Sequence, residues 1–429
     1  MTAAYLFAEA GHDVTVLERE KTVGGLARTF NYNGYTFDVG PHRFHTDDVS
    51  VLDFLRQVLK DNWTEIDRRS GVWMHGRYHE WPLRPASLLK LPLSVMLRTG
   101  LDLFRRREIE SESFKDYILS MYGSSLYDLF FGPYTRKFIR EEPEAIHADW
   151  AISGVDRAVI DKRVKMNSLS QVVKGALLPR AVATKFIYPH DGGVAELCMR
   201  LKSGVEALGG RVLTDSKVSG ASSSSQRIDT VATESGEEHA VDILIWTAPI
   251  NELVDMLGLP MTWLSFISTI CYNFSMDAEP GIPYQWCYYG QENVVFNRLT
   301  IPVHFSPRAA PAGKCGVCAE VTCVEGDDIW ERPDKLNDEV QRHLGKVRAI
   351  RSDDRIEGLY IERILNTYPV YKMGYREELA RVKLDLSRFT NLKLLGRTGT
   401  FWYNNMDHSM KMAIDQVKQT EKEAEAEER

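Results

Sequence analysis

The chain has 429 residues, 44% hydrophobic and 26% charged, a globular composition long enough for two or three domains or one large domain with an insertion. Lys and Arg number 53 against 60 Asp and Glu, and the net charge of −7 gives a nucleic-acid partner no electrostatic footing. There is no secretory signal and no apolar run of the about 18 residues a bilayer span needs, and six cysteines over this length build no disulfide framework, so a reduced, cytoplasmic protein without a transmembrane segment is expected.

Thr2 to Ala10 predicts a helix carried by Ala4, Leu6, Phe7 and Ala10 and ended by Gly11. His12 to Glu18 then alternates as a strand that closes on an acid. Helix, glycine, strand and acid make the second half of a dinucleotide-binding βαβ unit, whose acid accepts hydrogen bonds from the adenosine ribose; that role falls on Glu18. A surface strand ending in a solvated Glu is the plainer alternative. The first half, a strand and a Gly-x-Gly-x-x-Gly turn that would hold pyrophosphate, does not precede it. A truncated or misassigned start is therefore expected, with that turn encoded in frame upstream. Just beyond the acid, Gly24 and Gly25 let the backbone approach a bulky ligand, and Arg28 can pair with phosphate.

The stretch Val23-Gly24-Gly25-Leu26-Ala27-Arg28-Thr29 resembles the second glycine motif of the FAD-dependent amine-oxidase and UDP-galactopyranose-mutase superfamily, which includes protoporphyrinogen-oxidase-like flavoproteins. The resemblance implies an α/β protein: a Rossmann-like (GR2-type) FAD-binding domain with a helical insertion and a β-sheet substrate domain. The FAD-binding domain is expected in three segments, at 1–80 (without its first strand and Gly-rich loop), at 181–250 and at 366–429, the last ending in a C-terminal helix. Between them are expected a mainly helical insertion at 81–180 and a β-rich substrate domain at 251–365.

Gly40-Pro41-His42-Arg43-Phe44-His45-Thr46 is similar to the mutases' Gly-Pro-His-x-Phe-His-Thr segment, which in that family lies beside the flavin. The resemblance places Gly40 and Pro41 at the cofactor and makes His42 and His45 candidate catalytic residues, since imidazoles can donate to the flavin edge or a substrate diphosphate. Satisfied turn histidines are the alternative. Apolar residues at helical spacing follow at Leu88 to Phe104 and Ser113 to Phe131. Arg105-Arg106-Arg107 reads as a solvated helix end. Phe138 stands where the mutases carry a tryptophan near the uridine, while Phe130 and Phe131 read as the core face of a helix.

Tyr188-Pro189-His190-Asp191-Gly192-Gly193 resembles the superfamily turn that leads back into the FAD domain, before a helix from Val194 to Leu208. Arg211 to Thr214 and Ser216 to Val218 read as strands, Ser222 to Ser225 as a polar turn, and Val241 to Trp246 as a strand. The resemblance puts a backbone contact to adenine at Val218. Arg298, within Phe296 to Thr300, matches the arginine that binds the sugar-nucleotide diphosphate in the mutases. Arg157 and Arg163 are the nearest candidates for a second such arginine. Cys315, Cys318 and Cys323 lie on a β-rich segment that turns their side chains to opposite faces, and no fourth ligand accompanies them, so no metal is expected.

Asn366-Thr367-Tyr368-Pro369-Val370-Tyr371 resembles the family's Tyr-Pro-Val element and makes Tyr368 a candidate beside substrate phosphates or flavin. Gly396-Arg397-Thr398-Gly399, then Asn405, Met406 and Asp407 opening a helix, resemble the C-terminal flavin clasp. Gly396, Arg397, Asn405, Met406 and Asp407 are thereby assigned to FAD, and helix-end N–H groups suit its pyrophosphate. Glu421 to Arg429 reads as a frayed, solvated helix end. The resemblance implies an FAD-dependent oxidoreductase acting on an unassigned small molecule, with a nucleotide sugar among the candidates and a homodimer as a candidate assembly. The alternatives are a UDP-galactopyranose-mutase-type isomerase using reduced FAD, and a truncated chain that cannot bind FAD.

Overall fold

The computed structural model describes residues 1–81, 97–98, 101–102, 111–155 and 185–427. Arg105, Arg106, Arg107, Arg157, Arg163 and most of the run from Leu88 to Phe104 lie outside the described residues.

Helix α1 (Thr2–Glu9) passes through Gly11, at φ +93°, into strand β1 (Thr15–Leu17). Only glycine takes that left-handed turn without a Cβ penalty. The hairpin of β2 (Thr29–Tyr32) and β3 (Tyr35–Asp38) precedes helix α2 (Val49–Leu59). Asp48 caps α2, accepting from the Ser50 and Val51 N–H groups at 2.9 and 3.2 Å, and so satisfies two donors that the helix cannot. Strand β4 (Thr64–Asp67) and the hairpin of β5 (Ser70–Met74) and β6 (Arg77–Trp81) follow. In the insertion, α3 (Phe114–Tyr122) and α4 (Gly132–Ile139) flank a π-helical turn at Tyr127–Phe131 that buries Phe130 and Phe131.

The chain returns through β7 (Lys185–Tyr188), α5 (Ala195–Ala207), β8 (Arg211–Leu213), the meander of β9 (Val218–Ser224), β10 (Arg227–Thr233) and β11 (Glu238–Ala240), and β12 (Leu244–Trp246). Here one expectation is corrected. Ser222 to Ser224 are not a turn but complete β9, paired with β10 and tied by the Ser222–Thr230 hydroxyl contact at 2.7 Å. Only Ser225, at φ +52°, turns; cross-strand pairing overrides the turn preference of serine.

After α6 (Ile250–Met256) come the long strand β13 (Phe266–Asp277), β14 (Trp286–Tyr289), β15 (Arg298–Thr300) and β16 (Cys315–Cys323). Helix α7 (Asn337–Lys346), β17 (Arg355–Pro369), α8 (Tyr375–Ser387), β18 (Leu392–Leu394) and α9 (Met406–Glu427) end the fold. Two short parallel pairs join β1 with β8 and β12 with β18, and Ala3 and Phe7 of α1 meet Ala413 and Val417 of α9 in an apolar cluster that Val14 and Ile245 pack against. The largest sheet has seven strands in the order β17-β13-β16-β15-β14-β5-β6. Its last two strands come from residues 70–81, so the division expected at residue 80 falls inside one hairpin. The parallel pairing of β14 with β5 spans more than 200 residues, and periodicity cannot reveal it.

Strand β16 is buried along its whole length. Cys315 and Cys323 pack with Val340 and Leu344 of α7, and Cys318 belongs to the opposite cluster around Phe37. Gly316 makes room for that ring, since a Cβ there would come within 2.6 Å of Phe37.

Asp38 ties the β2–β3 hairpin to the start of α5. Its carboxylate accepts from the Thr29 hydroxyl at 2.6 Å, the Tyr188 hydroxyl at 2.5 Å and the Val194 N–H at 3.0 Å. Burial nevertheless pushes its pKa up to about 6, above the ordinary 3.8. The folded state therefore favours the protonated acid. Its contribution to stability is complete below pH 3.8 and is lost as the pH rises through about 6, by about 3 kcal/mol. Asp38→Asn lacks this slope, so in thermal melts the advantage of the wild type over the variant should shrink between about pH 4 and about pH 7. A gap that widens over that range would contradict the buried-acid assignment.

Candidate functional site

Segments distant in the chain meet at one cavity. It is lined by Leu26, Val39, His42, Thr269, Arg298, Glu320, Thr367, Tyr368 and Arg397. Thus His42, Arg298, Tyr368 and Arg397, chosen from motifs more than 350 residues apart at the extremes, are brought together. His45 is not: it is exposed, and its Nδ1 lies 3.1 Å from the Lys185 carbonyl, outside the cavity lining. The alternation of the chain explains this, because Phe44 between the two histidines is pinned by a bridge to Ile187 and buried.

The loop carrying His42 leaves β3 through Gly40, at φ +69°, and buried Pro41. A Cβ on Gly40 would stand 2.7 Å from the Arg298 guanidinium and about 3 Å from the Glu320 carboxylate, so glycine is required for that approach as well as for the turn. His42 is held neutral. Burial, then the Arg397 and Arg298 charges, lower its pKa from 6.5 to about 3, and its Nδ1 is buried without a hydrogen-bond partner.

Arg298 on β15 stands directly across from Glu320 on β16. Its Nε and Nη2 donate to the two carboxylate oxygens at 2.6 and 2.5 Å, and Nη2 also reaches the Tyr368 hydroxyl at 3.2 Å. Both partners are buried. This fork-on-carboxylate geometry consumes the face of Arg298 that a diphosphate would use. The sequence signal for Glu320 was there to be read: it is the single charge in the apolar run Cys315 to Cys323.

Arg397 donates to the Thr367 carbonyl at 2.8 Å and the Asn404 carbonyl at 2.6 Å. Its guanidinium also lies over Tyr368 and Tyr403, 5.2 and 5.0 Å from the ring centroids. Around it, Phe138 and Tyr403 each pack edge-on against Tyr368 with centroids 5.0 Å away. Trp150, which the motifs did not single out, stacks on Tyr403 at 5.1 Å and sits 5.8 Å from Phe138. An indole thus enters the aromatic wall from a different place in the chain than the mutase pattern implied.

The proposed adenosine end lies around β1. Glu18 is partly buried and burial raises its pKa; its carboxylate accepts from the Glu20 N–H at 2.9 Å. The Ser216 N–H bonds the Glu18 carbonyl, which brings the start of β9 with Val218 alongside. Gly24 and Gly25 adopt φ +122° and +57°. Arg28 braces this turn through the Gly25 carbonyl at 2.9 Å and pairs with Glu20 at 3.0 Å, so its fork is already engaged.

A flavin fits these residues on two observations. Gly25 and Gly396 have positive φ, and a Cβ on Gly25 would meet nothing within 4 Å, while on Gly396 it would meet only Thr247 at 3.9 Å, leaving space beside both. A buried polar atom without a partner marks the same region at His42 Nδ1, while Asp407 Oδ1 in the first turn of α9 lies 3.1 Å from His408 Nδ1. Asn405 is exposed just before Met406 opens that helix.

No helix among the described residues is long and apolar enough to cross a membrane. An L-amino acid oxidase of Crotalus durissus cumanensis is 40% identical over 57 residues, 13% of this chain. The chain spans only 11% of that oxidase's length. A structure of reduced UDP-galactopyranose mutase superposes with a TM-score of 0.83 at 20% identity, covering 98% of this chain and 92% of that one. Putrescine oxidase bound to putrescine superposes with a TM-score of 0.61 at 14% identity, over 97% and 96%. These two likenesses are of fold. The profile of flavin containing amine oxidoreductases matches residues 1–356. The chain belongs to this family of flavin-containing amine oxidoreductases, flavoprotein enzymes whose cofactor here is FAD.

Proposed function

We propose that the chain oxidises a small molecule at the cavity where His42, Arg298, Tyr368 and Arg397 converge, with FAD held between Glu18, Gly24, Gly25 and Val218 at one end and Gly396, Arg397 and the Asn405–Met406–Asp407 helix start at the other. The convergence of those four side chains from separate segments is the observation that carries the reading. Bound FAD supplies a two-electron acceptor. Arg397 contributes fixed positive charge beside the aromatic wall. His42, with a pKa near 3, is a poor general base at neutral pH, because such a base works best with a pKa near the working pH. It serves as a neutral hydrogen-bonding group instead. Tyr368, held by Arg298, orients a phenol toward the cavity, and Arg298 acts on the substrate through that phenol.

A second reading, ring contraction of a nucleotide sugar with reduced FAD, is favoured by the guanidinium-rich interior and opposed by the engagement of Arg298 with Glu320. Both readings are tested on purified protein incubated with FAD and freed of excess cofactor. Anaerobic bleaching of the flavin by an amine, amino acid or alcohol would support oxidation. Turnover of UDP-galactopyranose by the chemically reduced protein alone, without net flavin oxidation, would support the isomerase and reject the oxidoreductase. A colourless protein would reject the cofactor site as drawn.

A further inference from the structure

Lys137 lies on α4 just before Phe138 of the aromatic wall, and the reading above gives it no task. Its Nζ is 3.0 Å from each of three backbone carbonyl oxygens, those of Gln291, Val294 and Phe296, in the turn that joins β14 to β15. An ammonium has three N–H donors, so this cradle satisfies all of them. Burial pulls the Lys137 pKa down to about 7, with Glu292 in the same turn working the other way. The carbonyls favour the charged form too, because a neutral amine has two N–H groups for three acceptors.

The backbone of the same residue grips the neighbouring strand. The Lys137 carbonyl accepts from the Thr322 hydroxyl on β16 at 3.2 Å, and that hydroxyl accepts from the Asn297 side-chain amide at 2.6 Å. Phe296 and Asn297 directly precede Arg298, and Thr322 lies two residues beyond Glu320. On the helix, Phe138 packs edge-on against Tyr368 with centroids 5.0 Å apart, and Tyr134, one turn earlier, stacks on Phe138 at 5.4 Å. One residue thus ties the helix that carries part of the aromatic wall to both strands of the Arg298–Glu320 pair. Helix α7 holds the turn independently: the Val295 N–H donates to His343 Nδ1 at 3.0 Å, and Lys346 Nζ donates to the Asn293 carbonyl at 2.9 Å. The turn therefore has anchors of its own, and what Lys137 adds is its registration against α4.

We propose that Lys137 is a positioning residue for the cavity: its ammonium locks α4 to the β14–β15 turn and so fixes Phe138, and through it Tyr368, in one geometry against the Arg298–Glu320 pair. Lys137 does not line the cavity, so it acts through these neighbours. Hydrogen bonds from a charged donor are stronger than neutral ones, and three of them fix the helix end in place and in tilt. Without them Phe138 is left to apolar contacts, which are non-directional, and Tyr368 gains more than one packing against it. The inference deepens the proposed enzyme by naming a residue that sets its cavity, and it rests on that reading only for the cavity's being the place of reaction.

The experiment is fluorine NMR of the full chain labelled with fluorotyrosine and incubated with FAD, for the wild type, Lys137→Met and Lys137→Gln. The Tyr368 line is identified by its absence from Tyr368→Phe, and the line of Tyr5 on α1, identified in the same way, is the remote reference. The wild type should give one sharp Tyr368 line. In Lys137→Met that line should broaden or split while the Tyr5 line stays as it was. Lys137→Gln keeps two N–H donors for the three carbonyls and should lie between the two. A Tyr368 line in Lys137→Met identical to that of the wild type, even with a lower melting temperature, would make Lys137 purely structural and overturn the proposal. Equal disturbance of the Tyr5 line would mean general loosening, and a wild-type Tyr368 line that is already split would mean that nothing is locked; either result overturns it. If the methionine variant does not fold, the glutamine variant decides by the same criteria. The measurement needs no turnover, so it is separate from the test of the enzyme reading: a colourless protein, or one whose flavin no substrate bleaches, sinks that reading while the Tyr368 response still decides the role of Lys137.

Discussion

Glu320→Ala should destabilise the protein by about 3–5 kcal/mol, because it strands the buried Arg298 guanidinium without its carboxylate. Arg298→Ala should cost a similar amount by stranding Glu320. The double variant Arg298→Met/Glu320→Leu removes both charges and fills the space with apolar atoms, so it should recover most of the loss, as such replacements do elsewhere. Denaturant unfolding of the four proteins measures this. Two near-neutral single variants would mean that the pair is solvated, and a double variant whose loss equals the sum of the singles would mean that the two groups do not interact. The outcome also bears on function. If Arg298→Ala folds with wild-type stability and loses substrate binding alone, Arg298 is a substrate ligand after all and Glu320 only its resting partner.

Arg397→Ala should weaken FAD retention by tenfold or more. The guanidinium links the end of β17 to the loop before α9 through the Thr367 and Asn404 carbonyls, and two aromatic rings clamp it. Each charge-assisted hydrogen bond contributes about 1.5–3 kcal/mol. Loss of a tenfold factor needs only about 1.4 kcal/mol, so partial relaxation of the loop is enough. Arg397→Lys should lie between the two, since an ammonium cannot keep both carbonyls and the stacked geometry. Flavin content after gel filtration and quenching of flavin fluorescence on rebinding report the effect. Full flavin content with unchanged affinity in Arg397→Ala would remove this residue from the cofactor site.

Much of the architecture was legible because it is local. Gly11 between an apolar helix and an alternating strand, the Gly-Arg-x-Gly turn before Met406, and the β-branched run around Glu320 each specify their conformation within about ten residues. The resemblance then connected those pieces to FAD. Where prediction and structure differ, tertiary pairing is the cause. Ser222 to Ser224 look like a turn until β10 lies beside them, and residues 70–81 join a sheet whose other strands lie more than 180 residues away. His45 has the same residue type and motif as His42, yet the buried Phe44 between them sends one inward and leaves the other at the surface.

By itself, then, the sequence determined the glycine turns and the acid after the first strand, since motif and periodicity act over short distances, and its family resemblance carried the α/β flavoprotein fold. The tertiary structure decided which partners the buried charges meet. Arg298 and Glu320 are 22 positions apart and meet only through strand register, while Lys137 meets the carbonyls of Gln291, Val294 and Phe296 across more than 150 positions. No composition or spacing encodes those pairings, because the energy of a buried charge depends on the partners that folding brings to it.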